Sequence, residues 1–329
     1  MFEIREAIVY IYDQGKGCRS QTAKCRVRFK QKKKMNHLIA ASELVINRDG
    51  SVYHLNIKPG ELAEKIICVG DPDRVEKVCL HFDTVEMMRR KREFVSATGT
   101  YAGQRLSVIS SGIGTDNMDI VLNEIDALFN IDFDTRQLRP RLTPLQFLRL
   151  GTCGGMQAGI PLGTIINSRH AIGSDGLLHF YRGAGESGLD RAFSAYEKQM
   201  GGLPFSLYTA EGDADLAQWL STAYPEIRSG ITFTASGFYG PQGRSIGRLS
   251  VAMPDLPERL AGFSYGGFSL LNMEMETSAL LGLCRLLGHR AGSLCTVLAN
   301  RREQTFSDDP AALVEKLILT GLDVMARWE

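Results

Sequence analysis

From Tyr53 onward, short runs rich in β-branched and apolar residues alternate with segments of helical period, and this alternation most constrains what the chain can fold into. A chain that keeps switching between the two periods must pack helices against a twisted, largely buried sheet, an α/β layer architecture. The strand-like runs are residues 66–69, 94–98, 105–110, 147–150, 164–172, 231–235 and 291–298, with a hairpin turn predicted at Ala102-Gly103. Helical periods fit 119–129, 216–222, 279–287 and 310–328. A further helix is predicted just after the first strand, with Asp71 as its cap and Pro72 at its first position. No internal repeat and no Pro/Gly/Ser linker divides this body, so residues 35–329 are read as a single domain.

With 329 residues and 44% hydrophobic content the chain can bury a large core. No apolar run reaches the roughly 18 residues that a membrane span needs, and no secretory signal is recognisable. A cytoplasmic protein that does not act at a membrane is the expectation. The seven cysteines, at 18, 25, 68, 79, 153, 284 and 295, are scattered and form no Cys-x-x-Cys pair. Neither a disulfide framework nor a zinc knuckle follows, and most are expected to be reduced and buried. The formal net charge of +1 hides a surplus of +7 in residues 1–34, which carry ten basic and three acidic side chains, against −6 in the remainder. This basic arm lacks any further nucleic-acid signature. We read it as an extension that is unstructured or not native, with Met35 as candidate start.

The candidate chemistry begins at Asn272-Met273-Glu274-Met275-Glu276-Thr277, where two carboxylates interrupt an apolar run that opens a helix. A buried ionised carboxylate needs a polar partner, either a ligand or an arginine. The alternative is that both acids merely complement the positive end of the helix. Three glycine-rich segments are read as strand-to-turn junctions: Gly70 to Arg74, Ser110 to Thr115 and Arg149 to Gly155. Free backbone N–H groups at such turns, beside Arg74, Arg92 and Arg149, suit an anion such as phosphate. His37, His81, His170 and His289 have no metal-ligand spacing and are assigned structural or exposed roles; His179 is assigned none. Trp219 and Trp328 fall in helical patterns as packing residues.

These motifs together resemble the nucleoside phosphorylase type I superfamily, and within it the bacterial uridine phosphorylases. Eight pieces match in order from about Val52 to the C-terminus: Val52 to Leu55, Gly70 to Val75, Arg92-Glu93-Phe94, Ser111 to Gly114, Arg149 to Gly155, Phe238-Tyr239 with Gln242 and Arg244, Asn272 to Thr277, and Asn300-Arg301. The resemblance implies a three-layer α/β/α fold around a central mixed twisted sheet. It implies a phosphate site of Gly70, Arg74, Arg149 and Thr152, completed by Arg92 of a neighbouring subunit. Met275 and Glu276 would hold the ribose, and a neighbour's His54 would reach the 5′ hydroxyl. Phe238, Gln242 and Arg244 would read the base, with Arg301 behind them. The catalytic residues would be Arg149, Arg244 and Glu276.

The implied reaction is phosphorolysis of uridine, with phosphate as co-substrate, no cofactor, and sites shared within a dimer or a hexamer built of dimers. Purine-specific members carry Ser-Asp where this chain has Asn300-Arg301, and a fixed cation suits an anionic pyrimidine better. A purine nucleoside phosphorylase, a nucleoside hydrolase of the same fold and a non-catalytic binder remain as alternatives. The chain departs from the pattern at Thr115-Asp116-Asn117, in place of Gly-Pro-Ser. No metal is expected, although the monovalent-cation site of some members would fall on Glu93, Ile113 and Asn117. Cys153 replaces Thr or Ser, and the base loop Tyr239-Gly240-Pro241-Gln242-Gly243 reverses Gly and Pro. Two insertions, 130–144 and about 249–267, are expected as surface loops.

Overall fold

The computed structural model describes residues 38–183 and 187–329. The basic arm and Met35 lie outside the described residues, as do His37, Cys18 and Cys25. The chain runs through β1 (Lys65–Val69), α1 (Pro72–Cys79), β2 (Thr84–Lys91), β3 (Phe94–Tyr101), β4 (Gln104–Ser110), α2 (Thr115–Asn130), β5 (Ile131–Asp132) and β6 (Gln137–Leu138). It continues with β7 (Gln146–Gly155), β8 (Ile165–Gly173), α3 (Gly188–Gln199), β9 (Tyr208–Glu211), α4 (Ala214–Ala223) and β10 (Arg228–Thr234). The last part holds α5 (Leu256–Ala261), β11 (Ser264–Tyr265), β12 (Phe268–Glu274), α6 (Thr277–Leu287), β13 (Arg290–Asn300), β14 (Thr305–Phe306) and α7 (Pro310–Arg327).

The side-chain period of two divides β1 cleanly between two cores. Ile66 and Cys68 pack into a cluster with Met118, Leu122 and Ile125 of α2 and Leu280 of α6. Ile67 and Val69 face Val75 of α1, Leu220 of α4 and Leu317 of α7. Helices therefore cover both faces of a mixed sheet, as expected. Its strand order is β11-β12-β10-β8-β13-β7-β1-β4-β3-β2. β12 also pairs antiparallel with β7, setting Asn272 opposite Gly155 and Met273 opposite Gly154. That pairing closes β7, β13, β8, β10 and β12 into a ring, and β1, β4, β3 and β2 extend from it as an open wing.

Two expectations are corrected. Arg149 to Gly155 is no turn: β7 runs unbroken through Gly155, paired along its length with β13. Nor is the insertion near 249–267 a surface loop throughout, since α5 buries Leu256 and Leu260 with Phe263 against Ile231 and Phe233. The other insertion lies on the surface as the β5–β6 hairpin, where the Asn130 amide donates to Thr143 O and Thr143 N donates back to Asn130 Oδ1 at 2.7 Å. His81 pairs with Glu315 at 2.7 Å, and His170 and His289 are buried, in keeping with structural roles.

Candidate active site

The site starts from a strand residue that folds back over its own strand. Residues two apart on a strand share a face, so Arg149 and Gly151 lie side by side on β7. A Cβ at Gly151 would collide with the Arg149 guanidinium. Glycine at 151 therefore provides the space into which the arginine lies down, a role different from the turn read in the sequence.

The Arg149 side chain is 5% exposed and meets two carboxylates. Its Nη2 pairs with Glu276 Oε2 and lies 3.2 Å from Glu274 Oε2, and its Nη1 donates to Cys295 Sγ at 3.0 Å. Burial alone would lower its pKa, but the two acids and the Cys295 thiol outweigh that and raise it, keeping the guanidinium charged. Glu276 is pushed up by burial and by the Glu274 charge, against the pull of Arg149.

The two glutamates divide the roles that the sequence left open. Glu274, at the end of β12, caps α6: its Oε2 accepts from the Glu276 and Thr277 backbone N–H groups at 2.9 and 3.0 Å, and its Oε1 from Thr234 Oγ1 at 2.7 Å. Both acids line the cavity, and Glu276 takes the Gly114 N–H on Oε1 at 2.8 Å. The sequence singled out both acids but assigned only Glu276 to the ribose, and Glu274 takes the helix-end role offered there as the alternative.

Arg74 arrives from the first turn of α1, where Asp71 Oδ1 caps the helix by accepting from Asp73 N at 3.0 Å. Its Nη1 donates to Leu150 O at 2.9 Å, and its buried Nε has no partner among the described residues. Burial and the neighbouring Arg149 charge lower its pKa. A buried donor left over beside a second guanidinium is suited to an oxyanion.

The loop after β10 lines the same cavity. Gly240–Gln242 forms a 3-10 turn, and Gly243 closes it at φ 68°, a left-handed conformation that suits glycine. The Arg244 guanidinium stacks 4.0 Å above the Phe238 ring, and Arg301 Nη1 donates to the Gln242 carbonyl at 2.7 Å. Burial and Arg301 lower the Arg244 pKa, and its buried Nε lacks a partner among the described residues.

All of this surrounds one cavity of about 720 Å³. Gly70, Arg74, Arg149, Thr152, Met275, Glu276, Phe238, Gln242 and Arg244 line it, as do Glu93, Ile113 and Asn117. Three expected residues do not: Arg301 stands behind Gln242, while His54 and Arg92 lie together around Tyr53 at the surface. The Arg92 guanidinium is 5.9 Å from the Tyr53 ring and the His54 ring is 4.9 Å from it. Phe306 of β14 also lines the cavity while 64% exposed, and a lone aromatic in a polar stretch gave no signal of that. One cavity thus offers two guanidiniums, two carboxylates and an aromatic ring stacked by a third arginine. It can hold an anion, a polyol and a flat heterocycle.

The sequence profile of the phosphorylase superfamily matches residues 64–318. A uridine phosphorylase from Thermococcus kodakarensis is 29% identical over 284 residues, covering 85% of this chain and 89% of the relative. A DeoD-type purine nucleoside phosphorylase from Listeria monocytogenes is 27% identical over 276 residues, covering 80% and 98%. Among solved structures, a Trypanosoma brucei nucleoside phosphorylase described as showing uridine phosphorylase activity superposes with a TM-score of 0.80 at 32% identity, over 86% of this chain and 99% of that one. The chain belongs to the phosphorylase superfamily.

Proposed function

We propose that this enzyme is a pentosyltransferase that cleaves uridine with phosphate, giving uracil and ribose 1-phosphate in pyrimidine salvage. The observation that carries the reading is that Arg74, Arg149 and Glu276 share one cavity with Phe238, Gln242 and Arg244. A phosphate oxygen attacks C1′ as the C1′–N1 bond breaks, and the bonding pair leaves with the base, which then takes up a proton. Positive charge grows on the sugar and negative charge on the base, as in other oxocarbenium-like glycosyl transfers.

Arg74 and Arg149, with Gly70 and Thr152, would fix the phosphate as nucleophile and as counter-charge to the sugar cation. Glu276 would accept from the 2′ and 3′ hydroxyls, with Met275 against the ribose. Gln242 and Arg244 would donate to the departing pyrimidine, with Phe238 against its ring and Arg301 holding the Gln242 carbonyl in place. His54 and Arg92 would act in a neighbouring subunit, which their shared surface patch away from the cavity favours. The working unit is then a dimer or a hexamer of dimers in the cytoplasm, with no cofactor in the chemistry.

A substrate panel tests the reading. Uridine should be consumed only when phosphate is present and faster than inosine. Faster inosine turnover would select the purine reading, and turnover undiminished without phosphate would select a hydrolase.

A further inference from the structure

Glu124 is a buried acid that the chemistry above leaves unused. It lies on α2, is 8% exposed, and turns its whole carboxylate onto one short segment. Oε1 lies 3.0 Å from the His54 backbone nitrogen and 2.6 Å from His54 Nδ1. Oε2 lies 3.1 Å from that same backbone nitrogen and 2.9 Å from the Leu55 nitrogen. An ionised carboxylate can only accept, so Nδ1 must carry the ring proton. In the neutral ring Nε2 is then a lone-pair acceptor. The His54 side chain stays 31% exposed, and the edge-on Tyr53 ring at 4.9 Å limits its swing.

We propose that Glu124 is a positioning residue that fixes the Nδ1–H tautomer of His54, making Nε2 a reader of a hydroxyl donor, the 5′ hydroxyl of a free nucleoside. The proposal rests on the phosphorylase reading above. Carboxylates that hold the far nitrogen of a histidine set its tautomer and ring angle in the same way at metal centres. A fixed acceptor favours a hydroxyl over an analogue that lacks the donor. It also opposes a dianionic 5′-phosphate, which offers only acceptors, so the arrangement selects nucleosides against nucleotides.

Glutamine at 124 is a sharp test because of what faces it. The Leu55 N–H cannot become an acceptor, so the carboxamide oxygen must stay on it and the NH₂ group turns to Nδ1. The ring can answer only by moving its proton to Nε2. The measurements are ¹⁵N-histidine spectra of the full-length enzyme, and phosphorolysis of uridine and 5′-deoxyuridine by wild type, Glu124→Gln, His54→Ala and the double variant. The expected wild-type spectrum has Nδ1 protonated, and Glu124→Gln shifts the proton to Nε2.

Loss of the neutral ring's acceptor for the 5′ hydroxyl should raise the KM for uridine roughly tenfold, while the constants for 5′-deoxyuridine stay at the wild-type values. The double variant should be no worse than His54→Ala alone. A proton on Nε2 in the wild type overturns the proposal, as does an equal loss on both nucleosides, which would mark Glu124 as a purely structural support. A wild type without any phosphorolysis would instead overturn the functional reading and with it the hydroxyl role, while the spectra would still judge the tautomer separately.

Discussion

At the scale of single residues, the site turns on Arg149, which neutralises two buried acids and lines the cavity. Arg149→Ala removes a preorganised donor and should cost about 2 to 4 kcal/mol of transition-state stabilisation, read as a fall in kcat/KM for phosphate. It also leaves Glu274 and Glu276 without their cation, so the melting temperature should fall in parallel. Initial rates at varied phosphate decide the matter, and an unchanged phosphate dependence would remove Arg149 from the nucleophile's site. Arg149 and Glu276 were legible because an arginine and an acid in apolar runs are costly unless they meet something. Gly151 was misread for an equally physical reason: glycine is depleted in strands, and only the folded chain reveals that its missing side chain makes room for a guanidinium.

At the scale of elements, strands with β-branched runs and helices with a sustained apolar period were legible, whereas β2, β9, β12, α3 and α5 were not, α3 despite the capping box of Ser187 and Asp190. β2 is an edge strand of mixed polar and apolar residues, exposed or half-buried throughout and without a buried apolar face, and α5 is only six residues long. The insertion carrying α5 earns its place through packing: it leads into β11 and β12, whose Tyr265 and Phe268 present ring contacts to His170 on β8 at 5.6 Å each. His170 Nδ1 is buried with no partner among the described residues. Burial, then the Arg169 charge, lowers its pKa from the ordinary 6.5 to about 4, against the opposing pull of Glu211. A folded-state value below the unfolded one means that the native state sheds a proton that the unfolded chain keeps. The stabilisation is therefore complete above about 6.5 and is lost as pH falls through about 4. His170→Phe should flatten the decline of melting temperature across that window, and melting curves at stepped pH test it. Parallel declines in variant and wild type would show that the acid sensitivity lies elsewhere.

At the scale of the whole molecule, the ring of strands explains why residues far apart in sequence converge. The β12–β7 pairing brings Glu274 and Glu276 to the strand that carries Arg149 and Thr152. No local pattern announces that closure, because it depends on two consecutive glycines, Gly154 and Gly155, meeting the strand of a motif more than a hundred residues on. The surface patch of His54, Tyr53 and Arg92 belongs to the same scale, since its assigned work lies in another copy of the chain. With sites shared as proposed, Arg149→Ala should disable the site of its own protomer, and Arg92→Ala the site of its neighbour. In a mixed dimer of the two variants, one site carries both lesions and the other carries neither. With random pairing about half of the dimers are mixed and half of their sites are intact, so unfolding and refolding the two inactive proteins together should restore about a quarter of wild-type activity. Sites built wholly within one chain would give no recovery on mixing. Recovery that appears only after subunit exchange, and whose KM for uridine rises when His54→Ala is added to the Arg149→Ala chain, places both patch residues in the neighbour's site.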